Sequence, residues 1–192
     1  MTKLDPRWSF LMLPLLAALG CSDPVPLPNQ GAIDLSLHTS ATHVNGQDCP
    51  VSGKTYDIGD ALGTTTQDRT PVTVINGANG ATVSCSVHGG GPFTFSGSIH
   101  GNTPDGSTVD LNLTNGQVGA DKSTGTVDVS LYTQDTLARL SSTGGSCTVT
   151  TVGMNIKGGS IWAKVSCPAV SAPPSYQCGI DATVVFEDCD GS

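Results

Sequence analysis

The pattern that decides the fold lies between Thr82 and His100, where the chain reads TVSCSVH-GGGP-FTFSGSIH. On both sides of the Gly-Gly-Gly-Pro segment, apolar or small residues alternate with Ser, Thr and His. Successive side chains of a strand point to opposite faces, so a period of two indicates a half-buried β-strand. The Gly- and Pro-rich segment is typical of a turn. This stretch therefore predicts two strands, each with one face in a core and the other in water.

The same alternation recurs along the chain, as in Ile33-Asp-Leu-Ser-Leu-His38. Further strands are predicted at 71–75, 108–114, 127–132, 161–167 and 180–187. Many half-buried strands joined by tight turns indicate an all-β fold. We predict an antiparallel β-sandwich, with a β-barrel as the alternative. Two segments, 56–62 and 134–140, are candidates for single helical turns.

The composition supports this fold class and excludes others. The 192 residues include 23 Thr, 20 Ser and 24 Gly, but a single Glu and only eight Lys and Arg together. Residues that cover exposed helix faces are therefore scarce, which argues against helical bundles and coiled coils. The formal net charge of −8 argues against a nucleic-acid partner, because phosphates would be repelled.

The amino terminus has the pattern of an export signal. Lys3 and Arg7 precede an apolar run from Phe10 to Leu19. Ten residues span about 15 Å as a helix, which is too short to cross a bilayer. A basic segment, a short apolar run and a small-residue site are typical of a secretory signal peptide. We predict that residues 1–20 form one.

The junction Ala18-Leu-Gly-Cys21 resembles the lipobox of bacterial lipoproteins. In that family the Cys becomes the new amino terminus and carries fatty acids such as palmitate. The resemblance implies lipidation at Cys21 and a membrane anchor in the bacterial cell envelope, at the outer membrane or cell surface. Ala18-x-Gly20 would also serve as an ordinary signal-peptidase site, which would leave Cys21 as a free thiol.

A Pro-rich segment follows the predicted anchor. Residues 21–30 contain Pro24, Pro26 and Pro28, and alternate prolines favour a semi-rigid extended spacer. We interpret this segment as a tether. Residues 31–192 are then predicted to form one domain.

The chain contains seven Cys, an odd number, and assigning Cys21 to the lipid leaves six. The other six suit three disulfides in an exported protein: Cys49, Cys85, Cys147, Cys167, Cys178 and Cys189. Their spacing contains no Cys-x-x-Cys pair, so no zinc site is expected, and no other cofactor is implied.

Geometry limits the pairing of these six residues. A hairpin centred on Lys157 would place Cys147 opposite Cys167. Cys178 and Cys189 bracket an extended run of about 36 Å and cannot pair with each other. We therefore predict Cys147–Cys167, with Cys49 and Cys85 taking Cys178 and Cys189 in an order that the sequence leaves open. The alternative pair is Cys167–Cys178.

No catalytic motif is present in the sequence: there is no nucleophile elbow, phosphate-binding loop, dinucleotide fingerprint or metalloprotease helix. The four His are expected on the surface: His38, His43, His88 and His100. A concave site where His38, His100 and Asp110 converge would favour an enzyme. Asp34, Asp110 and Asp128 would form an acidic stripe for calcium only if their strands were adjacent.

Three aromatic residues are candidates for ligand binding: Trp162, Tyr132 and Tyr176. Trp162 lies between Ile161 and Ala163 and should therefore face away from their apolar row. An exposed Trp can stack on a sugar or a partner, and packing in a core is the alternative.

Taken together, the sequence predicts a membrane-anchored envelope lipoprotein with a non-catalytic structural or interaction role. The first alternative is a carbohydrate- or small-ligand-binding module, with a glycan or protein as partner. The second is a secreted hydrolase.

Overall fold

The structure is a computed structural model. It describes residues 25–42, 48–63, 70–136, 138–142, 144–172 and 176–190. The predicted signal peptide, the predicted lipidation site Cys21 and His43 lie outside the described residues. Within these ranges, no helix has the length and apolar character needed to cross a membrane.

The described ranges contain eleven strands and no α-helix, as the alternating pattern predicts. The strands are β1 (Gln30–Thr39), β2 (Thr55–Ile58), β3 (Val74–Ile75), β4 (Thr82–His88), β5 (Phe93–Asn102), β6 (Thr108–Val118), β7 (Thr124–Thr133), β8 (Leu140–Ser141), β9 (Cys147–Lys157), β10 (Ser160–Ala172) and β11 (Tyr176–Glu187). A 3-10 turn at Ala78–Gly80 lies between β3 and β4.

The strands form one antiparallel sheet in the order β2-β1-β11-β10-β8-β7-β6-β5-β4. The short β3 also pairs with β1, and β9 pairs with both β10 and β7. Together with the short β8, β9 therefore lies between β10 and β7 in the middle of this order and joins them into a continuous sheet.

The sheet folds over into two packed layers, which gives the predicted sandwich arrangement. Gly97 of β5 faces the ring of Phe186 in β11, and a Cβ at this glycine would lie 2.7 Å from two ring atoms. Gly31 of β1 faces Val83 of β4 in the same way, at 3.1 Å. The apolar positions of both layers meet in one main core.

Alternation along each strand explains the burial. In β1, Ile33, Leu35 and Leu37 are buried, whereas Asp34 and Ser36 face the solvent side of the sheet. A strand with this pattern contributes one row of side chains to the core and leaves the other row free to form a surface.

The predictions of single helical turns at 56–62 and 134–140 are wrong. Tyr56 and Ile58 alternate with polar residues and are buried, so this segment pairs with β1 as the strand β2. Residues 134–136 form a hydrogen-bonded turn, in which the amide of Thr136 donates to the carbonyl of Thr133.

The β9–β10 hairpin turns at Gly158 and Gly159, slightly beyond the predicted centre at Lys157. On β9, the residues between Thr151 and Ile156 bulge outward opposite the single residue Trp162. Gly153 and Met154 in this bulge have φ of 60° and 57°. The extra residues compensate for the later turn, and therefore the strands regain the predicted register toward Cys147.

The structure contains the three disulfides Cys147–Cys167, Cys49–Cys178 and Cys85–Cys189. The first is the pair that the hairpin argument predicts, and the other two resolve the order that the sequence leaves open. The alternative Cys167–Cys178 is wrong. Cys178 and Cys189 do not pair with each other because β11 extends between them. Three disulfides are consistent with an exported protein.

Candidate binding groove

An open groove of about 720 Å³ lies on the solvent side of β2, β1, β11, β10 and β9. Its polar side chains come from the positions that alternate with core residues. On β1, for example, Asp34 and Ser36 line the groove while Leu35 between them points its side chain into the core. The half-buried character of the strands thus creates the groove floor.

Two rows of polar residues cross this floor from β2 to β9, following the strand register. The first row is Thr55, Ser36, Asp181, Ser166 and Thr148. The second row is Asp57, Asp34, Thr183, Lys164 and Thr150. Six of these ten side chains end in a hydroxyl group, which can both donate and accept hydrogen bonds.

Asp181 of the first row makes side-chain contacts with Ser166 and His38. The Ser166 hydroxyl donates to its Oδ1 at 2.7 Å, and Nε2 of His38 lies 3.3 Å from its Oδ2. The His38 ring lies over Gly179, where a Cβ would stand only 2.0 Å from ring atom Cε1. A glycine at that position therefore lets the imidazole lie flat beside the groove.

The order of these three groups decides what they can do chemically. In a catalytic triad, the imidazole lies between the hydroxyl and the carboxylate and removes the hydroxyl proton. Here the Asp181 carboxylate lies between Ser166 and His38. The contacts therefore orient the Ser166 hydroxyl for hydrogen bonding.

The second row begins with two carboxylates on directly opposed positions, Asp34 and Asp57. Burial raises the pKa of Asp34, and the neighbouring Asp57 charge raises it further. The amide of Leu62 donates to Asp34 Oδ2 at 2.8 Å and opposes this shift. Lys164 is exposed farther along the row and makes no ion pair with the described residues.

An apolar row lies beside the second polar row and contains Trp162. This residue is partly exposed and packs with Ala32, Ala61 and Val185 in a small cluster outside the main core. Ile161 and Ala163 are buried, so Trp162 faces away from them as predicted. Its indole N–H has no hydrogen-bond partner in the described part of the chain.

The other two candidate aromatic residues lie elsewhere. Tyr132 is on the outer side of β7, opposite Asp110, and is 36% exposed. Tyr176 is half-buried at the start of β11, packs against the main core and donates its hydroxyl to the carbonyl of Thr136. The structure therefore does not bring Trp162, Tyr132 and Tyr176 together.

The residues considered for an enzyme site do not converge either. His100 and Asp110 are opposite each other on β5 and β6, but His38 is on β1 in the other layer. Asp110 also accepts hydrogen bonds from Arg139 and Asn112. The proposed acidic stripe is likewise divided: Asp110 and Asp128 are on the paired strands β6 and β7, but Asp34 is on β1 in the other layer. Within the described ranges, no three His, Cys, Asp or Glu residues are placed to hold a metal ion.

Sequence reasoning did not identify the groove, because its rows join strands that are distant along the chain. Ser36, for example, donates to the carbonyl of Asp181, 145 residues away. The alternation that places each side chain on the solvent face was the available signal, but it does not specify which strands are neighbours.

Comparisons with protein-family models, with curated proteins and with solved structures find no match.

Proposed function

We propose that this protein is a lipid-anchored protein of the bacterial cell envelope whose domain has a non-catalytic binding role. Its binding surface is the groove across β2, β1, β11, β10 and β9. The observation that carries the proposal is this open groove of about 720 Å³, lined by two rows of polar side chains. Its volume lies in the range of about 300–1,000 Å³ that is usual for ligand sites.

Three disulfides and the lipobox-like junction at Cys21 support the location. Disulfides persist in oxidising compartments outside the cytoplasm. A fatty-acid anchor at Cys21 would hold the domain at a membrane surface through the Pro-rich tether.

The order of contacts in the first row supports a non-catalytic role. The Ser166 hydroxyl bonds to a carboxylate, and the His38 imidazole lies on the far side of that carboxylate. This arrangement suits a surface that forms hydrogen bonds with a ligand.

Metabolic labelling with a fatty acid tests the anchor. The wild-type protein should become labelled, whereas Cys21→Ser should not. An unlabelled wild-type protein would contradict the anchoring part of the proposal.

Sedimentation with isolated bacterial envelopes tests the groove, using the Cys21→Ser protein to remove the anchor. Ser166→Tyr fills the groove floor, and Ser84→Tyr is its matched control on the outer face of β4. Both serines are exposed and bonded to a neighbouring strand, Ser166 to Asp181 and Ser84 to Ser98. Tyr is favourable in strands, so both variants should fold.

We expect Ser84→Tyr to bind the envelopes like the parent protein and Ser166→Tyr to bind at least tenfold more weakly. Equal binding by the two variants would overturn the assignment of the groove as the binding surface.

A further inference from the structure

We infer that the groove binds a neutral carbohydrate chain. This inference rests on the proposed function and adds the chemical class of the ligand. It follows from the hydrogen-bonding groups of the groove, its charge, the paired backbone beneath it and the position of Trp162.

The hydrogen-bonding groups fit a polyhydroxylated ligand. The two rows offer six hydroxyl groups, three carboxylates that accept hydrogen bonds and one ammonium group, from Lys164, that donates them. A sugar hydroxyl both donates and accepts, so it can pair with any member of these rows. An apolar ligand would instead leave them desolvated without partners, which is unfavourable.

The charge of the groove selects against anionic ligands. Asp34, Asp57 and Asp181 line it together with a single cationic residue, Lys164. The whole chain also carries a formal net charge of −8. Phosphorylated polymers and polyuronates would be repelled, whereas a neutral glycan would not.

The three central strands beneath the groove have no free edge for a peptide strand. β1, β11 and β10 are each hydrogen-bonded to a strand on both sides. An extended peptide is usually recognised by adding a strand to a sheet edge through its own backbone groups. Along these three strands only side chains are available, and this arrangement favours a ligand whose polar groups lie on its periphery.

Trp162 lies beside the residues that line the groove and offers the apolar contact that a sugar ring requires. It lies on the same side of β10 as Lys164, two residues away, which corresponds to about 7 Å along a strand. The five strands span about 19 Å at the usual strand spacing, so the surface suits a chain of several sugars. Such a chain can lie across the polar rows with one ring against the partly exposed indole.

Two measurements on the Cys21→Ser protein test this inference. The first is calorimetric titration with the neutral hexasaccharides of cellulose, chitin, xylan and starch, and with polygalacturonate as the anionic probe. We expect at least one neutral hexasaccharide to bind and polygalacturonate not to bind. Trp162→Leu keeps an apolar cover over Val185 but removes the ring, and it should weaken binding at least tenfold, as should Ser166→Tyr. Ser84→Tyr should bind like the parent protein.

The second measurement does not depend on the choice of sugar. Isolated envelopes are treated with periodate, which cleaves vicinal diols, or with proteinase K, before sedimentation with the protein. We expect proteinase K to leave intact the binding that Ser166→Tyr weakens. Periodate should abolish this binding when the ligand resembles cellulose, xylan or starch, and should spare it when the chitin hexasaccharide is the one that binds, because 1→4-linked N-acetylglucosamine units have no vicinal diol. Three results would overturn the carbohydrate inference but leave the proposed function standing. The first is groove-dependent binding that survives periodate although the chitin hexasaccharide does not bind, and the second is groove-dependent binding that is lost after proteinase K. The third is calorimetric binding of polygalacturonate without binding of any neutral hexasaccharide. Envelope binding that Ser166→Tyr does not weaken would overturn the proposed function itself.

Discussion

At Gly97, the backbone of one layer packs closely against the ring of Phe186 in the other layer. The ring of Phe186 is fully buried and occupies the space where a Cβ at Gly97 would stand. Because the ring has packed neighbours, it cannot move away without disturbing the core. A glycine is therefore required here for packing.

Gly97→Ala should lower the free energy of unfolding by about 1–3 kcal/mol, the usual cost of overpacking a core. Guanidinium denaturation measures this difference. Gly90→Ala is the control, since no atom lies within 4 Å of a Cβ built there, and it should have little effect. Combining Gly97→Ala with Phe186→Leu should cost less than the sum of the two single changes, and strict additivity would contradict the proposed contact.

Tyr56 combines a buried ring with a hydrogen-bonded hydroxyl. Its hydroxyl donates to Asp135 at 2.9 Å and accepts from Thr133 at 3.3 Å. Burial raises the pKa of Tyr56 from 10.0 to about 12. The folded protein therefore holds the phenol proton more tightly than the unfolded chain does.

Ultraviolet titration should show a phenol that ionises near pH 12 and is missing in Tyr56→Phe. The contribution of this group to stability is fully present below the unfolded pKa of 10.0 and is lost as the pH rises toward 12. Tyr132→Phe is the control and should leave the late transition in place. A late transition that persists in Tyr56→Phe would show that another phenol is responsible.

For a single residue, the sequence predicts the face of the strand to which the side chain points, but not which residue in the other layer it contacts. Gly97 shares an alternating row with Phe95 and Ile99, so its inward direction follows from the pattern. Its partner Phe186 lies in the other layer, and local periodicity contains no information about it. The outward direction of Trp162 was predicted correctly for the same reason.

Among the strand pairs, β1 and β2 place two carboxylates of like charge opposite each other. Asp34 and Asp57 occupy directly opposed positions. Like charges at such positions destabilise a strand pair. Burial, followed by the charge of Asp57, raises the pKa of Asp34 above 3.8. A raised pKa in the folded state gives stability that is present below pH 3.8 and is lost as the pH rises through the folded pKa.

Asp57→Asn should therefore raise the free energy of unfolding at pH 7 by about 0.2–1 kcal/mol, with a smaller effect at pH 3. Urea denaturation at both pH values measures the difference. Asp128→Asn is a control for which the opposite change in stability is expected, because hydrogen bonds from Asn115 and Gly145 lower the pKa of Asp128. It should lower stability at pH 7. A larger gain for Asp57→Asn at pH 3 than at pH 7 would contradict the repulsion.

Long strands were predictable because they repeat the alternation many times, whereas the short β2 and the bulge in β9 were not. The four residues of β2 precede Ala61 and Leu62, and together they mimic helical spacing. The bulge in β9 depends on the positive φ of Met154, a conformation that an L-residue rarely adopts. The cysteine pairing across this hairpin was nevertheless correct, because the bulge offsets the later turn.

For the whole molecule, the closing contacts lie between β4 and the end of the described chain. Cys85 of β4 bonds to Cys189, and the amide of Asp190 donates to the carbonyl of Cys85 at 3.1 Å. The amide of Val87 donates to the carbonyl of Asp190 at 3.0 Å. The strand at the end of the sheet order is thus joined to the residues after β11, and the second layer stays on the first.

Disulfides that close long loops should stabilise this arrangement most. In the chain-entropy model, a bond restricts the unfolded chain more when it closes a longer loop. Cys85–Cys189 spans 104 residues and Cys147–Cys167 spans 20. The model gives about 4.8 kcal/mol for the first and about 3.3 kcal/mol for the second.

In the Cys21→Ser protein, Cys85→Ser/Cys189→Ser should therefore lose about 1.5 kcal/mol more stability than Cys147→Ser/Cys167→Ser. Guanidinium denaturation of the two variants, extrapolated to water, measures this difference. The comparison is matched, because each variant replaces two buried Cys by Ser. If the hairpin variant were the less stable one, local packing around Cys147 and Cys167 would outweigh loop closure. The second layer would then be held mainly by its core contacts, such as Phe186 against Gly97, and only secondarily by the long-range bond.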